Sequence, residues 1–514
     1  MKSVYRVQSR LPGARMGLRT GGLTVVAMAL LTMAGCTLGT RYQKPQMLAP
    51  SAYKEEIPSE DWKPANPQDA MLHGKWWEVF KEPELNQLEE QLNIDNQNIA
   101  IYMQNFVAAR AQVAQARASY WPTVTVGISG SRSRTPPLQS TTVAHSIATT
   151  ANIFQLPASV SWEPDLFGRI RNTVKEYSAA AQVSAADLEN ERLLEQASLA
   201  EYYFQLRGQD ALLDLYRKTV ANYQQTLDLT HARQETGLVS DEDVAGAETN
   251  LKAAQASATA LENTRAQYEH AIALLIGKPA GKFSMPERPM TVEAPAIPVG
   301  LPSQLLERRP DIAASERTVA QANAILGIGR SAYFPSLSIS VGGGTESPTW
   351  SNLYNWTDNY WSVGPSFSET IFDGGQRKAQ FAQYKAQYDG DVATYRETVL
   401  NALKEVEDYL ASVRLLGTEI RQQDDAIASA QRYYDLASTR YETGLDTYLN
   451  VLTAQNTLLS DRQTAITLRV NRITASVELI QALGGGWDAS QLPSGTQLKQ
   501  GYKSGEKTSS NGTR

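Results

Sequence analysis

Apolar residues recur at helical spacing through most of the chain, and the longest helical run occurs twice. The first copy extends from about Thr173 to a Glu-Thr-Gly-Leu turn at 235–238, and the second extends from about Gly375 to the same turn at 442–445. A second helical run follows each turn and stops at Gly277 or Gly484 after an apolar cluster. The turns and the final glycines are both separated by 207 positions (444 − 237 and 484 − 277). A constant spacing over this distance predicts an internal duplication.

Each long run predicts a helix far longer than those of ordinary globular proteins. About sixty residues at a rise of 1.5 Å correspond to ~90 Å. An isolated helix gains too little from its own backbone to be stable, so a helix of this length needs neighbours along its side. The run that follows each turn predicts an antiparallel return helix, which is one such neighbour.

The spacing of apolar residues changes from helical to alternating at the same place in both copies. Helical spacing extends from Leu85 to Ala118 and stops at Tyr-Trp-Pro 120–122; in the second copy Tyr-Phe-Pro occurs at 333–335. Alternation of polar and apolar residues then predicts β-strands. They form two hairpins, 123–163 and 336–370. The strands within them lie at 123–129, 154–162, 336–341 and 360–367, and the first hairpin carries an exposed loop at 132–152.

The alternating strands have two interpretations. One is a half-buried soluble hairpin. The other is a transmembrane β-barrel, which the aromatic residues at the strand ends favour because such residues collect at membrane interfaces. Four strands cannot close a barrel, which needs about eight. An open sheet in lipid would leave edge hydrogen bonds unmet, so a pore requires several chains.

Composition excludes several functional classes. The net charge is −6 and no basic run indicates a nucleic-acid partner. The four histidines are scattered, so we predict no metal site. No nucleophile–base set is recognisable, so we predict no catalytic residue, no cofactor and no enzyme activity. Gly327-Ile-Gly329 lacks the third glycine of a dinucleotide fingerprint, which favours a packing role. The histidines are His73, His145, His231 and His270.

The first 35 residues have the pattern of a signal peptide. Arginines precede an apolar run at 23–33, which is too short to span a membrane, and Ala34-Gly35-Cys36 follows. This ending resembles a bacterial lipobox, which would make Cys36 the acylated first residue of a mature lipoprotein. An ordinary secretory signal with an incidental cysteine is the alternative. The start codon is left open between Met1 and Met16.

The remaining segments follow from these elements. We predict an extended, acylated N-terminal arm at 36–82 and a first repeat at 83–278. A proline-rich linker or equatorial segment at 279–302 joins it to a second repeat at 303–486. A C-terminal tail at 487–514 is rich in Gly, Ser and Lys, and is expected to be partly disordered.

The ordered motifs resemble those of the TolC-type outer-membrane factor family, in particular its OprM- and NodT-like lipoprotein efflux branch. They cover about residues 40–490. The motifs are Trp76-Trp77, Tyr120-Trp-Pro, Asp165-Leu-Phe-Gly-Arg, Glu235-Thr-Gly-Leu, Glu307-Arg-Arg-Pro-Asp-Ile, Tyr333-Phe-Pro, Phe372-Asp-Gly-Gly and Tyr441-Glu-Thr-Gly-Leu.

The resemblance implies an α+β membrane protein that forms a homotrimer. Four strands from each chain would make one transmembrane β-barrel, continued by a long α-helical tunnel through the periplasm. The protein would be lipid-anchored in the outer membrane of a Gram-negative bacterium. Its implied partners are a periplasmic adaptor protein and an inner-membrane pump of the resistance-nodulation-division type.

The resemblance also implies a gate where the tunnel ends. The tip turns correspond to Gly237 and Gly444. A hydrogen bond between Tyr441 and Asp243, assisted by Glu242 and Asp446, is expected to join the two helix pairs. An exposed bond of this kind contributes only ~1 kcal/mol, which suits a latch that must open. The alternative is that these are ordinary solvated turn residues.

Two further residues are assigned to this gate. In the family the constriction often carries aspartates in a Leu-Asp-Ala-Gln stretch, whereas this chain has Leu452-Thr453-Ala454-Gln455. Asn450 and Thr453 are expected to face the lumen, because residues three apart share one helix face. The lack of an acidic ring leaves the ion selectivity of the gate open.

The function that follows is a passive exit channel for drugs or other small molecules, driven by the pump. Type I protein secretion is an alternative within the same class. A periplasmic coiled-coil or adhesin lipoprotein without a pore is a second class, although such a protein should show sustained heptads, which are absent.

Overall fold

The computed structural model describes residues 41–47, 50, 52–55, 74–136, 148–290, 292–297 and 307–499. The predicted signal peptide and Cys36 lie outside these residues. The chain divides into two compact units. The strands and the flanking residues 112–177 and 320–389 belong to the first, and residues 44–111, 178–319 and 390–514 belong to the second.

The helices occur in two matched sets. The first set is α1 Pro83–Asp95, α2 Gln97–Ala118, α3 Arg169–Glu235 and α4 Asp241–Leu275. The second is α5 Pro310–Ser331, α6 Gln376–Glu442 and α7 Tyr448–Ala482. Both ends of α5 lie 213 positions after those of α2 (310 − 97 and 331 − 118). Both ends of α6 and of α7 lie 207 positions after those of α3 and α4. The difference of six residues is therefore absorbed by the hairpins.

The predicted helix from Leu85 to Ala118 is wrong in one respect, because Asn96 interrupts it. The Asn96 backbone is extended (ψ 126°), and its side-chain oxygen accepts a hydrogen bond from the Ile99 N–H at 3.0 Å. Its Nδ2 donates to the Leu275 carbonyl at 2.9 Å. Arg309, 213 positions later, donates through Nη1 to the Ala482 carbonyl at 3.1 Å. Each return helix thus has a terminal carbonyl satisfied by the residue at the same place in its repeat.

The strands form one antiparallel sheet in the order β1/β2, β3, β4, β5. β1 and β2 pair with β3 in one continuous register, since Val126 faces Ala158 and Ser129 faces Gln155. The break between them lies opposite Pro157, which has no N–H to donate to the ladder. The sheet therefore has four strands, as predicted, with the first in two pieces. The strands are β1 Thr123–Val126, β2 Ser129–Thr135, β3 Thr149–Trp162, β4 Ser336–Ser347 and β5 Asn359–Ser368.

All four strands are longer than predicted, β5 by only one residue at each end, and the first hairpin loop is correspondingly shorter. The predicted loop at 132–152 begins and ends inside β2 and β3, and residues 137–147 of it lie outside the described residues. The ends of these strands consist mainly of polar residues, so polar and apolar residues do not alternate there and the sequence pattern does not predict a strand. The helices together with this sheet agree with the predicted α+β class.

Both edges of the sheet and much of its apolar surface are uncovered in the single chain. Among the described residues, no strand pairs with the outer edge of β1/β2 or of β5. Val124 is 66% exposed and Trp361 is 79% exposed. A sheet with unpaired edges and exposed apolar side chains is unfavourable in water. It therefore requires further strands at its edges. None of the described helices combines the length and the apolar composition that a membrane crossing requires.

The chain leaves the sheet through an aspartate-capped corner in both copies. Asp165 accepts hydrogen bonds from the Ile170 and Arg171 N–H groups, and its Oδ2 also binds the Arg171 Nε at 2.9 Å. Asp373 binds Arg377 in the same way, with Oδ2 2.6 Å from Nε. An aspartate at this place accepts hydrogen bonds from the free N–H groups of the following helix. Its negative charge also interacts favourably with the partial positive charge at the start of that helix.

The pair Gly327 and Gly329 has the packing role that the sequence predicts. A Cβ atom on Gly327 would lie 2.6 Å from Nδ2 of Asn172 in α3, and one on Gly329 would lie 2.9 Å from the ring of Tyr384 in α6. Helix α5 therefore approaches both long helices more closely than alanine at these positions would allow.

Part of the predicted N-terminal arm belongs to the core of the second unit. Residues Trp76–Phe80 form a short 3₁₀ helix instead of an extended segment, and both tryptophans are almost fully buried. Trp76 Nε1 donates to Gln196 Oε1 of α3 at 3.2 Å, and the rings of Phe80 and Phe204 lie 5.0 Å apart. Two adjacent tryptophans bury too much apolar area to remain in a solvated arm.

The start of the predicted tail also packs. Trp487 lies against Ala186, Ala313 and Ala314. A 3₁₀ turn at Ala489–Gln491 and a short helix, α8 Gly495–Lys499, follow it. Residues 500–514, where disorder is predicted, lie outside the described residues.

A buried ion network fastens the linker to α3 and α4. Arg207 is 2% exposed and bonds to Asp210 Oδ2 at 2.8 Å and to the Pro286 carbonyl at 2.8 Å. Arg265 binds the other Asp210 oxygen at 2.6 Å and the Met285 carbonyl at 2.8 Å. Because the two arginines satisfy the linker carbonyls as well as the carboxylate, the linker is held as part of the second unit.

A pair of carboxyl groups on α3 and α7 predicts a pH-dependent stability. Burial raises the pKa of Glu201 to about 7, and the neighbouring Glu478 carboxylate adds to this. In the unfolded chain the pKa of Glu201 is near its ordinary value, so the unfolded state loses this proton at a lower pH than the folded state does. This contribution to stability is full below pH ~4.5 and is lost by pH ~7. We expect the melting temperature to fall between pH 5 and pH 8, and Glu201→Gln to reduce that fall.

The control is Glu248→Gln, on the exposed face of α4, which should leave the slope of melting temperature against pH unchanged. An equal slope in Glu201→Gln and the wild-type protein would contradict the assignment. Comparing variants in this way separates Glu201 from all other groups that titrate over the same range.

Candidate gate at the helix tips

The two tip turns have the same backbone structure. Gly237 and Gly444 have φ angles of +74° and +75°, in the left-handed region where glycine carries no steric penalty. The Leu238 N–H donates to the Arg233 carbonyl at 2.9 Å, and the Leu445 N–H donates to the Arg440 carbonyl at 2.8 Å. Each of these bonds spans six residues, as in a Schellman motif at the end of a helix. The motif requires a left-handed residue before the donor, which explains the glycine in both turns.

The first tip is closed locally by a capping box. Ser240 Oγ accepts a hydrogen bond from the Asp243 N–H at 3.3 Å, and Asp243 Oδ2 accepts from the Ser240 N–H at 3.1 Å. The Asp243 carboxylate also accepts from the Ser240 hydroxyl at 2.9 Å. These bonds satisfy free N–H groups at the start of α4, so the acid acts on its own turn. Glu242 beside it is exposed.

The second tip is organised around Asp446. Its Oδ1 accepts from the Thr447 N–H at 2.8 Å and from Asn450 Nδ2 at 2.5 Å. Its Oδ2 lies 3.2 Å from Arg440 Nε. The Asn450 amide, the Thr447 N–H and the Arg440 guanidinium together hold the pKa of Asp446 below its ordinary value. Asp446 is therefore ionised at neutral pH and braces the turn.

The predicted hydrogen bond between Tyr441 and Asp243 is absent within the described chain. The Tyr441 side chain is 5% exposed, and its hydroxyl has no hydrogen-bond partner among the described residues. Its ring packs against the Tyr448 ring with centroids 5.6 Å apart. The prediction is wrong for the described chain, in which Asp243 Oδ2 is bound within its own turn and the Tyr441 hydroxyl is buried without a partner. Tyr441 acts here through its ring.

Arg233 makes the contact between the two tips that was assigned to Tyr441 and Asp243. From the last turn of α3 it donates through Nη1 to the Tyr441 carbonyl at 3.0 Å and through Nη2 to the Glu442 carbonyl at 3.1 Å. Its guanidinium lies 4.4 Å from the centre of the Tyr441 ring. A cation here meets the negative end of α6 and an aromatic face together. We call this set of contacts the Arg233 clasp.

The sequence contained a partial signal for the Arg233 clasp. Arg233 and Arg440 align in the repeat and both lie four residues before the turn glycine. Such a position favours a basic residue because the last carbonyls of a helix are free. The sequence alone associates each arginine with its own helix, however. Only the packing of α3 beside α6 shows that Arg233 binds the carbonyls of the neighbouring helix.

Tyrosines continue the contact between the helix pairs away from the tips. Tyr223 donates to Asn456 Oδ1 at 3.1 Å, and Tyr216 donates to Gln463 Oε1 at 3.3 Å, both from α3 to α7. The tyrosine rings are buried with small and aliphatic residues of all four helices. Burial raises the pKa of Tyr223 and of Tyr448 to about 12, so both stay neutral near pH 7.

Asn450 and Thr453 lie on the exposed side of α7, whereas Val451 and Ala454 between and beside them are buried. Thr453 Oγ1 donates to the Leu449 carbonyl at 2.8 Å. Their common exposed face agrees with the expected spacing. Their place in a lumen depends on other chains and stays a prediction.

The duplication is also visible in the comparison with known families. The sequence profile described as "Outer membrane efflux protein" matches residues 89–278 and 301–485, which is well over half of the chain. The chain belongs to the outer membrane efflux protein family. The predicted resemblance is thereby confirmed, and each matched segment overlaps one of the two matched helix sets, 83–275 and 310–482.

Curated relatives cover almost the whole chain. The antibiotic efflux pump outer membrane protein ArpC of Pseudomonas putida is 31% identical over 472 residues, which is 91% of this chain and 96% of the relative. The cation efflux system protein CusC of Escherichia coli is 29% identical over 472 residues, covering 89% of this chain and 97% of the relative. The predicted function as an outer-membrane efflux channel is confirmed, and the chain is a transport protein and not an enzyme.

The fold is that of a solved channel. The structure of the outer-membrane channel OprN superimposes with a TM-score of 0.81 and 28% identity, covering 88% of this chain and all of that one. The predicted α+β class is confirmed by this likeness.

The environment of Tyr441 predicts an outcome that separates its ring from its hydroxyl. Tyr441→Phe keeps the ring under Arg233 and removes a hydroxyl that has no hydrogen-bond partner in the described chain, so the channel should stay closed as in the wild type. Tyr441→Ala removes the ring and leaves a cavity, which costs roughly 3–5 kcal/mol for a buried aromatic side chain. Single-channel recording in a planar bilayer should show raised conductance for Tyr441→Ala alone. Equal opening in both variants would restore a role for the hydroxyl.

Proposed function

We propose that three copies of this chain form an outer-membrane exit channel of a tripartite efflux system, which is closed at rest at the helix tips. The observation that carries this proposal is the open four-stranded sheet with exposed apolar residues. Three copies supply twelve strands (3 × 4), enough to close a barrel around a water-filled pore. Closure would satisfy both sheet edges and place the apolar surface in lipid.

The two longest helices supply the second part of the channel. α3 and α6 each contain 67 residues. At 1.5 Å per residue each corresponds to ~100 Å. Twelve helices from three copies, counting α3, α4, α6 and α7 of each, would surround a tunnel across the periplasm. Each chain supplies two helix pairs, α3 with α4 and α6 with α7. The Arg233 clasp, together with the hydrogen bonds of Tyr216 and Tyr223, holds these two pairs together.

The partners follow from the family and the tips. We propose a periplasmic adaptor protein that binds the tip turns and an inner-membrane pump of the resistance-nodulation-division type that supplies the energy. The channel itself is passive. ArpC is named for antibiotics and CusC for cations. We propose drugs or other small organic molecules as cargo, because the acidic constriction is replaced here by Thr453.

We further propose that Cys36 carries a lipid anchor in the outer membrane of a Gram-negative bacterium. The support is the signal-peptide pattern that ends at this residue. Metabolic labelling with a fatty-acid analogue should label the wild-type protein and not Cys36→Ala. Label retained in the variant would exclude Cys36 as the acylated residue.

The channel is tested by purifying the full chain in detergent. We expect a trimer by native mass measurement and low conductance in a planar bilayer. A control variant is Val341→Pro, because Val341 lies in β4 opposite Val160 and Val363, where proline breaks the ladder. This variant should give no channel. A monomeric wild-type protein that never conducts would refute the trimeric channel.

The efflux assignment is tested separately in the source bacterium. Deleting the gene should increase susceptibility to small organic toxic compounds, and the wild-type chain should restore resistance whereas Val341→Pro should not. Unchanged susceptibility to every compound tested would count against efflux while leaving the pore itself intact.

A further inference from the structure

We propose that Arg440 forms, between neighbouring copies, the same clasp that Arg233 forms within one chain. Its acceptors would be the Gln234 and Glu235 carbonyls of the next copy. The inference rests on the proposed trimer and names the contact that closes it at the tips. We call it the Arg440 clasp.

The two arginines occupy equivalent places. Arg440 lies 207 positions after Arg233, the spacing that also relates both ends of the two longest helices. The carbonyls that Arg233 binds belong to Tyr441 and Glu442. Subtracting 207 gives Gln234 and Glu235, which lie at the corresponding end of α3.

A ring of three copies places these groups side by side. First and second helix pairs must alternate around such a ring, so each second pair has a first pair of the next copy on its far side. Within one chain, the arginine of the first pair binds the second pair. If the same sense is followed around the ring, the arginine of the second pair binds the first pair of the next copy. The matched lengths and turns of the helices allow this equivalence.

The Arg440 side chain is free to make this contact. It is 61% exposed, and its ion pair with Asp446 uses Nε. Within the described part of the chain neither Nη atom of Arg440 has a hydrogen-bond acceptor, and these are the atoms with which Arg233 binds its carbonyls. The acceptors are suitable because a carbonyl oxygen has two lone pairs. The Tyr441 carbonyl accepts from the Gly444 N–H at 3.0 Å and from Arg233 as well, and the Gln234 carbonyl accepts from the Gly237 N–H at 2.8 Å in the same way. Asp446 would then hold the guanidinium in place from behind.

The two kinds of clasp differ in strength. The ring under Arg233 is Tyr441, whereas the equivalent residue for Arg440 is Gln234. The Arg440 clasp therefore lacks the cation–π contact. The positions equivalent to Tyr216 and Tyr223, whose hydroxyls link the pairs inside one chain, carry Gln423 and Ala430 in the second repeat. The tip ring consequently opens first between copies, at three equivalent places, while each chain keeps its own two helix pairs together.

Crosslinking tests which copies the clasp joins. The test pair is Glu235→Cys with Arg440→Cys, in the full-length protein in outer membranes, treated with a short thiol crosslinker. We expect covalent dimers and trimers on a denaturing gel. The matched pair is Arg233→Cys with Glu442→Cys, which should crosslink within one chain and give only monomers. The four single variants control for background from the native Cys36.

A second measurement uses conductance. Arg440→Ala should raise the mean conductance of the trimer severalfold, and Arg440→Lys, which keeps one charged donor group, should raise it less. Multimers absent from the test pair, or a closed channel in Arg440→Ala, would overturn the Arg440 clasp provided the wild type is trimeric and conducts when opened. A wild-type protein that is not trimeric would instead overturn the proposed function.

Discussion

Arg233→Ala is expected to open a channel that the wild-type chain keeps closed. The substitution removes two charge-assisted hydrogen bonds to the Tyr441 and Glu442 carbonyls, and a cation–π contact with the Tyr441 ring. A hydrogen bond to a charged group contributes about 1.5–3 kcal/mol and an exposed cation–π contact about 0.5–1 kcal/mol. After allowance for solvent at the tip, each copy should lose roughly 2–3 kcal/mol of closing free energy. Single-channel recording should show a mean conductance many times that of the wild type.

Two further variants make this result specific. Arg233→Lys keeps a charge and a donor but cannot bind both carbonyls at once, so it should lie between the wild type and Arg233→Ala. Arg421→Ala removes an arginine of α6 that donates to Thr418 of its own helix, and it should leave the conductance unchanged. Opening by Arg421→Ala to the same extent would mean that loss of surface charge, and not the clasp, loosens the tips.

Gly484→Ala is expected to give the largest loss of stability of any single methyl addition in the described glycine turns. Gly484 has φ +93°, and a Cβ atom there would overlap the Arg308 carbonyl oxygen. Adopting a left-handed conformation and shifting a packed backbone together cost roughly 2–4 kcal/mol. The midpoint of denaturation by guanidinium chloride should fall clearly, as measured by circular dichroism.

The matched control is Gly444→Ala, which has φ +75° and no atom within 4 Å of the added methyl. It should cost only the backbone term of ~1 kcal/mol. The difference between the two variants therefore measures the overlap with Arg308. An equal loss of stability in both variants would show that the backbone around Arg308 moves away from the added methyl group without a loss of free energy.

The equivalent glycine in the first repeat shows why these positions could be found in the sequence. A Cβ on Gly277 would lie 2.5 Å from the Asp95 carbonyl oxygen, just as one on Gly484 would meet Arg308. The repeat spacing identified both glycines, and helix-end chemistry accounts for their positive φ. What they touch could not be predicted, because the contact joins segments about 180 residues apart in sequence.

The sequence also predicted elements better than their ends. Four strands were expected and four are present, but polar strand ends in β2 and β3 were assigned to a loop. The long N-terminal helix was predicted without its break at Asn96, whose side chain binds a carbonyl of α4. In both cases the spacing of apolar residues shows which face of a segment is buried. It carries no information about the hydrogen bonds that the segment makes with backbone groups distant in sequence.

The gate shows the boundary between the two kinds of information. The duplication, the two long helices and the glycine turns are local properties, because periodicity and turn chemistry are written in consecutive residues. The role of Arg233 is not local. Its partners are carbonyl groups, which every residue carries, so their identity gives no sequence signal. Tyr441 and Asp243 looked like a pair because their side chains can bond. The tertiary structure decided otherwise by giving Asp243 to its own turn and placing Arg233 against Tyr441.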